Sequence, residues 1–155
     1  SLNIEQFLRE KTGDSAFNIQ TDKAFTVNHE WFKVTGSNEI SVGITKYAAA
    51  ELDTLLHVEL TSEALDGTVI APGEPVASLD SSKGFAQVYA PLSLKLKEFI
   101  TSDPDQLDAN PNELAIFSAN IVDSEDNLDV KLLTSTQYQQ LLKDNHNVEP
   151  ADYGL

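Results

Sequence analysis

The pattern of apolar and polar positions changes after the first 24 residues. Ile4, Phe7 and Leu8 share one face of a helix that Asn3 can cap and Gly13 can end. A polar stretch follows, up to residue 23. The pattern therefore predicts a short N-terminal helix as an extension ahead of the main domain.

From residue 25 the pattern is typical of short strands joined by turns. The segment 39–44 alternates polar and apolar residues, as a half-buried strand does. The alanine-rich segment 47–52 favours a helix. The predicted strands are 25–27, 31–34, 39–44, 55–60, 76–79, 85–89, 93–99 and, on weaker patterns, 116–122 and 128–133.

Helices are also predicted toward the C-terminus. Asp103-Pro104 is typical of a helix start, and Tyr138, Leu141 and Leu142 share one face of a closing helix over 136–143. The polar tail 144–155 is expected to be loose. We predict a mainly β chain with some helix, an N-terminal extension over 1–24, a β domain over 25–133, and a C-terminal helix and tail over 134–155.

The net charge of −15, from 25 acidic and 10 basic residues, limits the classes of molecule that are expected to bind the chain. Nucleic acids and anionic membranes are bound through clusters of basic residues, so both are excluded as expected partners. The charge favours approach to basic protein surfaces instead. We expect no membrane span, because no apolar run reaches about 20 residues.

The sequence offers no convincing catalytic or metal-binding pattern. Cysteine is absent, and the three histidines lie far apart without metal-ligand spacing. The acidic run 123–126 lacks the glycine and the closing glutamate of a calcium loop. We therefore expect no metal and no enzyme activity, with a carboxylate-pair enzyme of unknown type as the remote alternative.

The most informative segment is a predicted hairpin over 76–91. Two apolar-rich strands flank a turn of Asp80, Ser81, Ser82, Lys83 and Gly84. Aspartate and serine side chains satisfy turn amides, and glycine permits positive φ. A lysine at this tip would hold its amine in solvent on a flexible four-carbon stem, as a swinging arm requires.

Five blocks in order and at consistent spacing resemble the biotinyl/lipoyl carrier superfamily, and within it the glycine cleavage H-protein family. The blocks resemble the family's His-Glu-Trp, its Gly-Ile-Thr stretch before a short helix, its Val-Glu-Leu strand, its Glu-Ser-Val-Lys-Ala turn and its Tyr-Ser-Pro-Val-Ser turn. In this chain they are 29–31, 42–48, 58–60, 80–84 and 89–93.

The resemblance implies a lipoyl-type barrel-sandwich hybrid of two small antiparallel sheets, with short flanking helices at both termini. It implies covalent attachment of lipoate to Lys83, in a turn formed with Asp80, Ser81, Ser82 and Gly84. Glu30 would attract the ammonium of an aminomethyl-loaded arm; the alternative is an ordinary exposed strand carboxylate. Trp31 is expected in the core rather than at the cofactor.

The implied role is a non-enzymatic, monomeric shuttle in glycine catabolism. Its partners would be a pyridoxal-phosphate glycine decarboxylase, a folate-dependent aminomethyltransferase, dihydrolipoyl dehydrogenase, and a lipoate ligase or lipoyltransferase. The start without methionine fits a processed chain, so we expect the mitochondrial matrix or a related organelle, with a bacterial cytoplasm as the alternative.

Several positions depart from the family pattern. Asp80 replaces a glutamate, and Gly84-Phe85-Ala86-Gln87 replaces a segment that carries a Ser-Asp pair. Leu94 replaces a glycine, and the C-terminal Gly-Trp strand is missing. These substitutions motivate the main alternative, a lipoyl-like protein-binding module or a lipoate carrier without a role in glycine cleavage.

Overall fold

The computed structural model describes residues 2–155, which form five α-helices, two 3-10 helices and eight strands. The α-helices are α1 Ile4–Thr12, α2 Lys46–Leu52, α3 Ser62–Leu65, α4 Pro104–Ala109 and α5 Ser135–His146, and the 3-10 helices are Glu125–Asp129 and Pro150–Tyr153. The strands are β1 Ala24–Phe25, β2 Glu30–Gly36, β3 Glu39–Ile44, β4 Leu55–Leu60, β5 Pro75–Ser81, β6 Gly84–Tyr89, β7 Leu94–Phe99 and β8 Phe117–Ile121.

The strands form two antiparallel sheets that share one core. One sheet has the order β1-β2-β3-β8-β7, and the other has the order β4-β5-β6. Val42 and Phe117 of the first sheet and Leu79 and Val88 of the second are fully buried in the same cluster. The predicted mainly β fold of two small antiparallel sheets with flanking helices is confirmed.

The N-terminal helix forms as its sequence predicts. The Asn3 side chain accepts a hydrogen bond from the Gln6 amide, and Gly13 ends the helix in the left-handed conformation at φ +69°. Phe7 and Leu8 on its apolar face pack into the main core. Residues ahead of the β domain thus contribute directly to the buried cluster.

The strand predicted over 128–133 is wrong. Residues 125–129 form a 3-10 helix capped by Ser124, and only Leu133 makes an isolated bridge, with Phe25. The buried Asn127 side chain accepts from the Ser93 amide at 2.8 Å and donates to the Val122 carbonyl at 3.0 Å. Side-chain hydrogen bonds replace a strand ladder here, which the apolar pattern could not reveal.

The C-terminal tail is not loose, contrary to the prediction. Helix α5 continues to His146, and the 3-10 helix at Pro150–Tyr153 follows. The Tyr153 carbonyl accepts from Asn112 Nδ2 at 2.8 Å, and its ring packs edge-on against Tyr47. The tail packs because its apolar residues cover a second cluster, formed by Phe25, Trp31, Tyr47, Leu133, Tyr138 and Leu142.

Across residues 2–155, every helix is too short or too polar to cross a bilayer.

Candidate functional site

Lys83 lies at the tip of the hairpin formed by β5 and β6. Ser81 pairs with Gly84, which leaves Ser82 and Lys83 as a two-residue turn. Both turn residues are exposed. The amine of Lys83 is therefore accessible to an approaching protein.

The turn is held by hydrogen bonds within itself. The Ser81 hydroxyl donates to the Gly84 carbonyl at 2.9 Å and accepts from the Lys83 amide at 3.2 Å. Gly84 has φ +133°, a conformation that side chains disfavour. Serine and glycine at these positions fix the backbone under Lys83 while its side chain remains free.

The turn is also braced by the loop between α2 and β4. The Ser82 amide donates to the Thr54 carbonyl at 2.9 Å, and its hydroxyl donates to the Asp53 carboxylate at 3.1 Å. The Thr54 amide returns a hydrogen bond to the Ser82 hydroxyl at 3.2 Å. The next residue, Leu55, donates its amide to Asp108 of α4 at 2.8 Å. Lys83 thus projects from a base that is tied to the body of the domain.

Glu30 is buried, with 2% of its surface exposed. Its carboxylate accepts from the Thr26 hydroxyl at 2.6 Å and from the Tyr89 amide at 3.1 Å. Burial raises the pKa of Glu30, and these two hydrogen bonds partly offset that rise. The alternative of an ordinary exposed strand carboxylate is therefore wrong.

Glu30 and Lys83 lie at opposite ends of β6. Glu30 accepts a hydrogen bond from the Tyr89 amide, and Tyr89 lies five residue steps along the extended strand from Gly84, about 17 Å. An arm on Lys83 would have to fold back along the sheet to approach Glu30. The structure does not bring the two side chains together at the turn.

Trp31 is a core residue, as predicted. It is 3% exposed, and its Nε1 donates to the carbonyls of Ile44 at 3.0 Å and Pro111 at 2.9 Å. The Lys23 ammonium lies 4.4 Å from the centre of its ring. These contacts fix the indole between β3 and the segment after α4.

Two histidines that are far apart in sequence meet in the structure. The rings of His29 and His146 lie 4.9 Å apart, and His29 Nδ1 is 2.8 Å from the Tyr138 hydroxyl. Among residues 2–155, no group of three or more His, Cys, Asp or Glu side chains is placed to hold a metal ion. Burial lowers the pKa of His29 to about 4, with a further contribution from His146.

The depressed pKa of His29 predicts a loss of stability in acid. The neutral ring stabilises the fold above the ordinary pKa of 6.5, and that contribution is lost as the pH falls from there through about 4. Because the ring is partly exposed, we expect the loss to be roughly 1–2 kcal/mol. His29→Asn, which tolerates the φ of +67°, should lose less stability over this range. Urea unfolding at several pH values measures the difference, and identical pH profiles for both proteins would contradict the assignment.

A cavity of about 630 Å³ on another face tests the enzyme alternative. Asp14, Asp22 and Glu113 line it, together with Lys23 and Trp31. Asp14 accepts from the Ala16 amide at 2.9 Å, Asp22 accepts from the Asn18 amide at 2.8 Å, and Glu113 is 3.9 Å from the Lys23 ammonium. These carboxylates are held by local turn amides and by a lysine.

Comparisons with known proteins agree with the fold. The sequence profile of the glycine cleavage H-protein family matches residues 23–145. The chain belongs to this family. A glycine cleavage system H protein from Nocardia farcinica is 32% identical over 128 residues, which cover 78% of this chain and 94% of the relative. One from Geobacillus kaustophilus is 30% identical over 133 residues, which cover 82% and 98%.

A solved structure supports the same fold. The crystal structure of a glycine cleavage system H protein from Mycobacterium marinum matches with a TM-score of 0.63 and 24% sequence identity. The match covers 77% of this chain and 94% of that protein. The lipoyl-type sandwich fold of this family member is therefore confirmed.

Proposed function

We propose that the chain is the lipoyl carrier protein of the glycine cleavage system, with lipoate joined as an amide to Lys83. The observation that carries the proposal is the exposed Lys83 on a turn braced by Ser81, Ser82 and the Asp53–Thr54 loop. Family membership supports the same role. A carrier needs an amine that several enzymes reach from solvent, and this turn provides one.

The residues of the turn fit the attachment of a lipoyl group. Lys83 offers a primary amine on a flexible stem, and the backbone beneath it is fixed by the Ser81 and Ser82 hydrogen bonds. When attached, lipoate supplies a disulfide that accepts the aminomethyl group, chemistry that a chain without cysteine lacks. The protein holds and presents the arm and does not itself catalyse a reaction.

Glu30 is proposed as the contact for the ammonium of a loaded arm. Three effects set the pKa of its carboxylate: burial, the hydrogen bond from Thr26 and the hydrogen bond from Tyr89. A cation placed there would favour the charged carboxylate that burial disfavours. This supports an electrostatic role for Glu30 at the far end of the sheet from the turn.

The partners follow from the proposed role. They are a pyridoxal-phosphate glycine decarboxylase, a folate-dependent aminomethyltransferase, dihydrolipoyl dehydrogenase, and a lipoate ligase or lipoyltransferase. The carrier would be a monomer, with residues 25–133 presenting the arm and 1–24 and 134–155 supporting them. The two relatives named above are bacterial, which favours a bacterial cytoplasm over the mitochondrial matrix.

Reconstitution tests the proposal. The protein is first treated with lipoate ligase, lipoate and ATP. It is then combined with the three enzymes of the glycine cleavage system, glycine, tetrahydrofolate and NAD⁺. We expect glycine-dependent NADH formation with the lipoylated chain and none with the untreated chain. Lipoylated chain that gives no NADH, with an H protein from another source active in the same mixture, would overturn the proposal.

Lipoylation should also change the charge of the protein. Amide formation converts the Lys83 ammonium into a neutral group, so the formal net charge goes from −15 to −16, one positive charge fewer. Native isoelectric focusing should show one acidic shift after ligase treatment, and none for Lys83→Ala. A shift that persists in Lys83→Ala would place the modification on another amine.

A further inference from the structure

Asp53, in the loop between α2 and β4, has a strained backbone. Its φ is +66° and its ψ is −95°. These angles lie outside the small left-handed region that aspartate and asparagine tolerate, and close to those of the rare γ-turn with positive φ. Glycine adopts positive φ without the steric penalty of a Cβ atom. Local sterics would therefore favour glycine at this position.

Packing gives no reason for a side chain at Asp53. The residue is exposed and has no part in the core. Its amide donates to the Ala50 carbonyl at 3.2 Å, a bond that glycine would also make. Glycine would lack only the carboxylate, which accepts from the Ser82 hydroxyl at 3.1 Å. Strained residues cluster at functional sites, which directs attention to this one contact.

The partner of Asp53 also distinguishes this chain. Ser82 stands where the family's Glu-Ser-Val-Lys-Ala turn has valine. Its hydroxyl donates to Asp53 and accepts from the Thr54 amide at 3.2 Å, and its own amide donates to the Thr54 carbonyl at 2.9 Å. Valine could keep only the last of these three bonds. We call the bond between the Ser82 hydroxyl and the Asp53 carboxylate the clamp.

The clamp ties the residue next to Lys83 to a loop that is itself anchored. Leu55, which follows this loop, is buried, and its amide donates to the Asp108 carboxylate at 2.8 Å. A hydrogen bond to a charged group is stronger than one between neutral groups. The clamp thus adds a charge-assisted bond from outside the hairpin to the bonds that Ser81 makes within the turn.

We propose that Asp53 is a positioning residue, whose carboxylate holds Ser82 and thereby limits the motion of the turn that presents Lys83. The strain at Asp53 is the cost of placing a carboxylate at this point of the loop. This inference rests on the proposed carrier role of Lys83 and assigns Asp53 an action through Ser82. It predicts that stability and function separate, because loss of the side chain relieves strain while it frees the turn.

Asp53→Gly removes the strain and the clamp together. We expect its thermal unfolding temperature to equal or exceed that of the original sequence. In the same variant the Ser82 amide, followed by NMR, should exchange with solvent about fivefold faster, as loss of one hydrogen bond allows. A lower unfolding temperature would contradict the strain at Asp53.

Two further variants serve as controls for Asp53→Gly. Asp53→Asn keeps an oxygen that can accept from Ser82, so it should restore most of the protection of the Ser82 amide. Asn147→Gly is the matched control, since Asn147 also ends a helix at positive φ, +53°, and caps α5 rather than the turn. It should leave exchange at Ser82 unchanged.

The functional readout uses protein that already carries lipoate, so the attachment step is not what is measured. Each variant is lipoylated to completion, as shown by intact mass, and its concentration is varied in the reconstituted system. Asp53→Gly should raise the KM for the lipoylated chain about fivefold with kcat unchanged, because a freer turn has to be ordered when it docks. Asp53→Asn and Asn147→Gly should stay within about twofold.

Ser82→Ala distinguishes the clamp from a direct contact between Asp53 and a partner enzyme. In the Ser82→Ala background, Asp53→Gly should add little to the exchange rate or to KM, because the clamp is already broken. An effect of Asp53→Gly on KM that persists in full there would show that Asp53 acts directly, and would overturn the inference.

The exchange measurement needs no lipoate, so its result is independent of the carrier role. Equal exchange at Ser82 in Asp53→Gly and in the original sequence would overturn the clamp and leave the carrier role intact. Faster exchange with an unchanged KM would overturn the positioning role alone. No NADH from the lipoylated original sequence, beside an active H protein from another source, would overturn the proposed function and the positioning role with it.

Discussion

Lys83→Arg should abolish carrier activity and leave the stability of the fold unchanged. Arginine retains the positive charge and a long flexible stem, but its guanidinium stays protonated and is not acylated. The hydrogen bonds of the turn involve the backbone amide of Lys83 and the side chains of its neighbours, so they survive the change. In the reconstituted system, NADH formation should drop to the level found without the chain.

The matched control is Lys95→Arg, an exposed lysine on β7 of the other sheet. It should be lipoylated at Lys83 and should support glycine oxidation at the normal rate. The thermal unfolding temperatures of both variants should agree with that of the original sequence. Residual glycine-dependent activity in Lys83→Arg would show that another group carries the aminomethyl unit.

Gly43→Ala adds only one methyl group, but it should destabilise the fold strongly. A Cβ at Gly43 would lie 2.6 Å from both Cε2 and Cζ2 of the Trp31 ring. The ring cannot withdraw easily, because its Nε1 donates to the carbonyls of Ile44 and Pro111. Overpacking of this kind costs about 1–3 kcal/mol, which urea unfolding would show as a lower midpoint.

Two further variants isolate the cause of that loss. Gly36→Ala is the matched control, since its Cβ would meet only Glu39 side-chain atoms, at 3.3 Å or more, near the exposed end of β2. Trp31→Phe removes the part of the indole that the added methyl group would strike. In the Trp31→Phe variant, Gly43→Ala should therefore lower the free energy of unfolding by less than it does in the original sequence, by a difference of more than about 0.5 kcal/mol. Strict additivity of the two changes would contradict a Trp31 clash.

Local patterns were sufficient to predict most of the strands and the hairpin, whereas the arrangement in two sheets was implied by the family resemblance. Strict alternation predicted β3 and the turn residues predicted the tip at Lys83, since both signals arise from neighbours in sequence. The helix at the N-terminus followed from Asn3 and Gly13 for the same reason. Elements that depend on contacts between residues close in the chain could therefore be predicted from the sequence.

Features built from distant residues were not predictable. The brace of the turn joins Ser82 to Asp53 and Thr54, and the buried Glu30 accepts from the amide of Tyr89, 59 positions away. The ordered tail and the meeting of His29 with His146 depend on how α5 packs against β1. No periodicity marks such contacts, because they are set by the packing of whole elements.

The most direct test of the carrier role is to map the lipoyl group after ligase treatment by intact mass and peptide fragmentation. We predict one lipoyl group per chain, on Lys83 alone, since this lysine projects from the braced tip into solvent. If the chain stays unmodified while another acceptor protein is lipoylated under the same conditions, the carrier role is contradicted. A lipoyl group on a different lysine would contradict the assignment to Lys83.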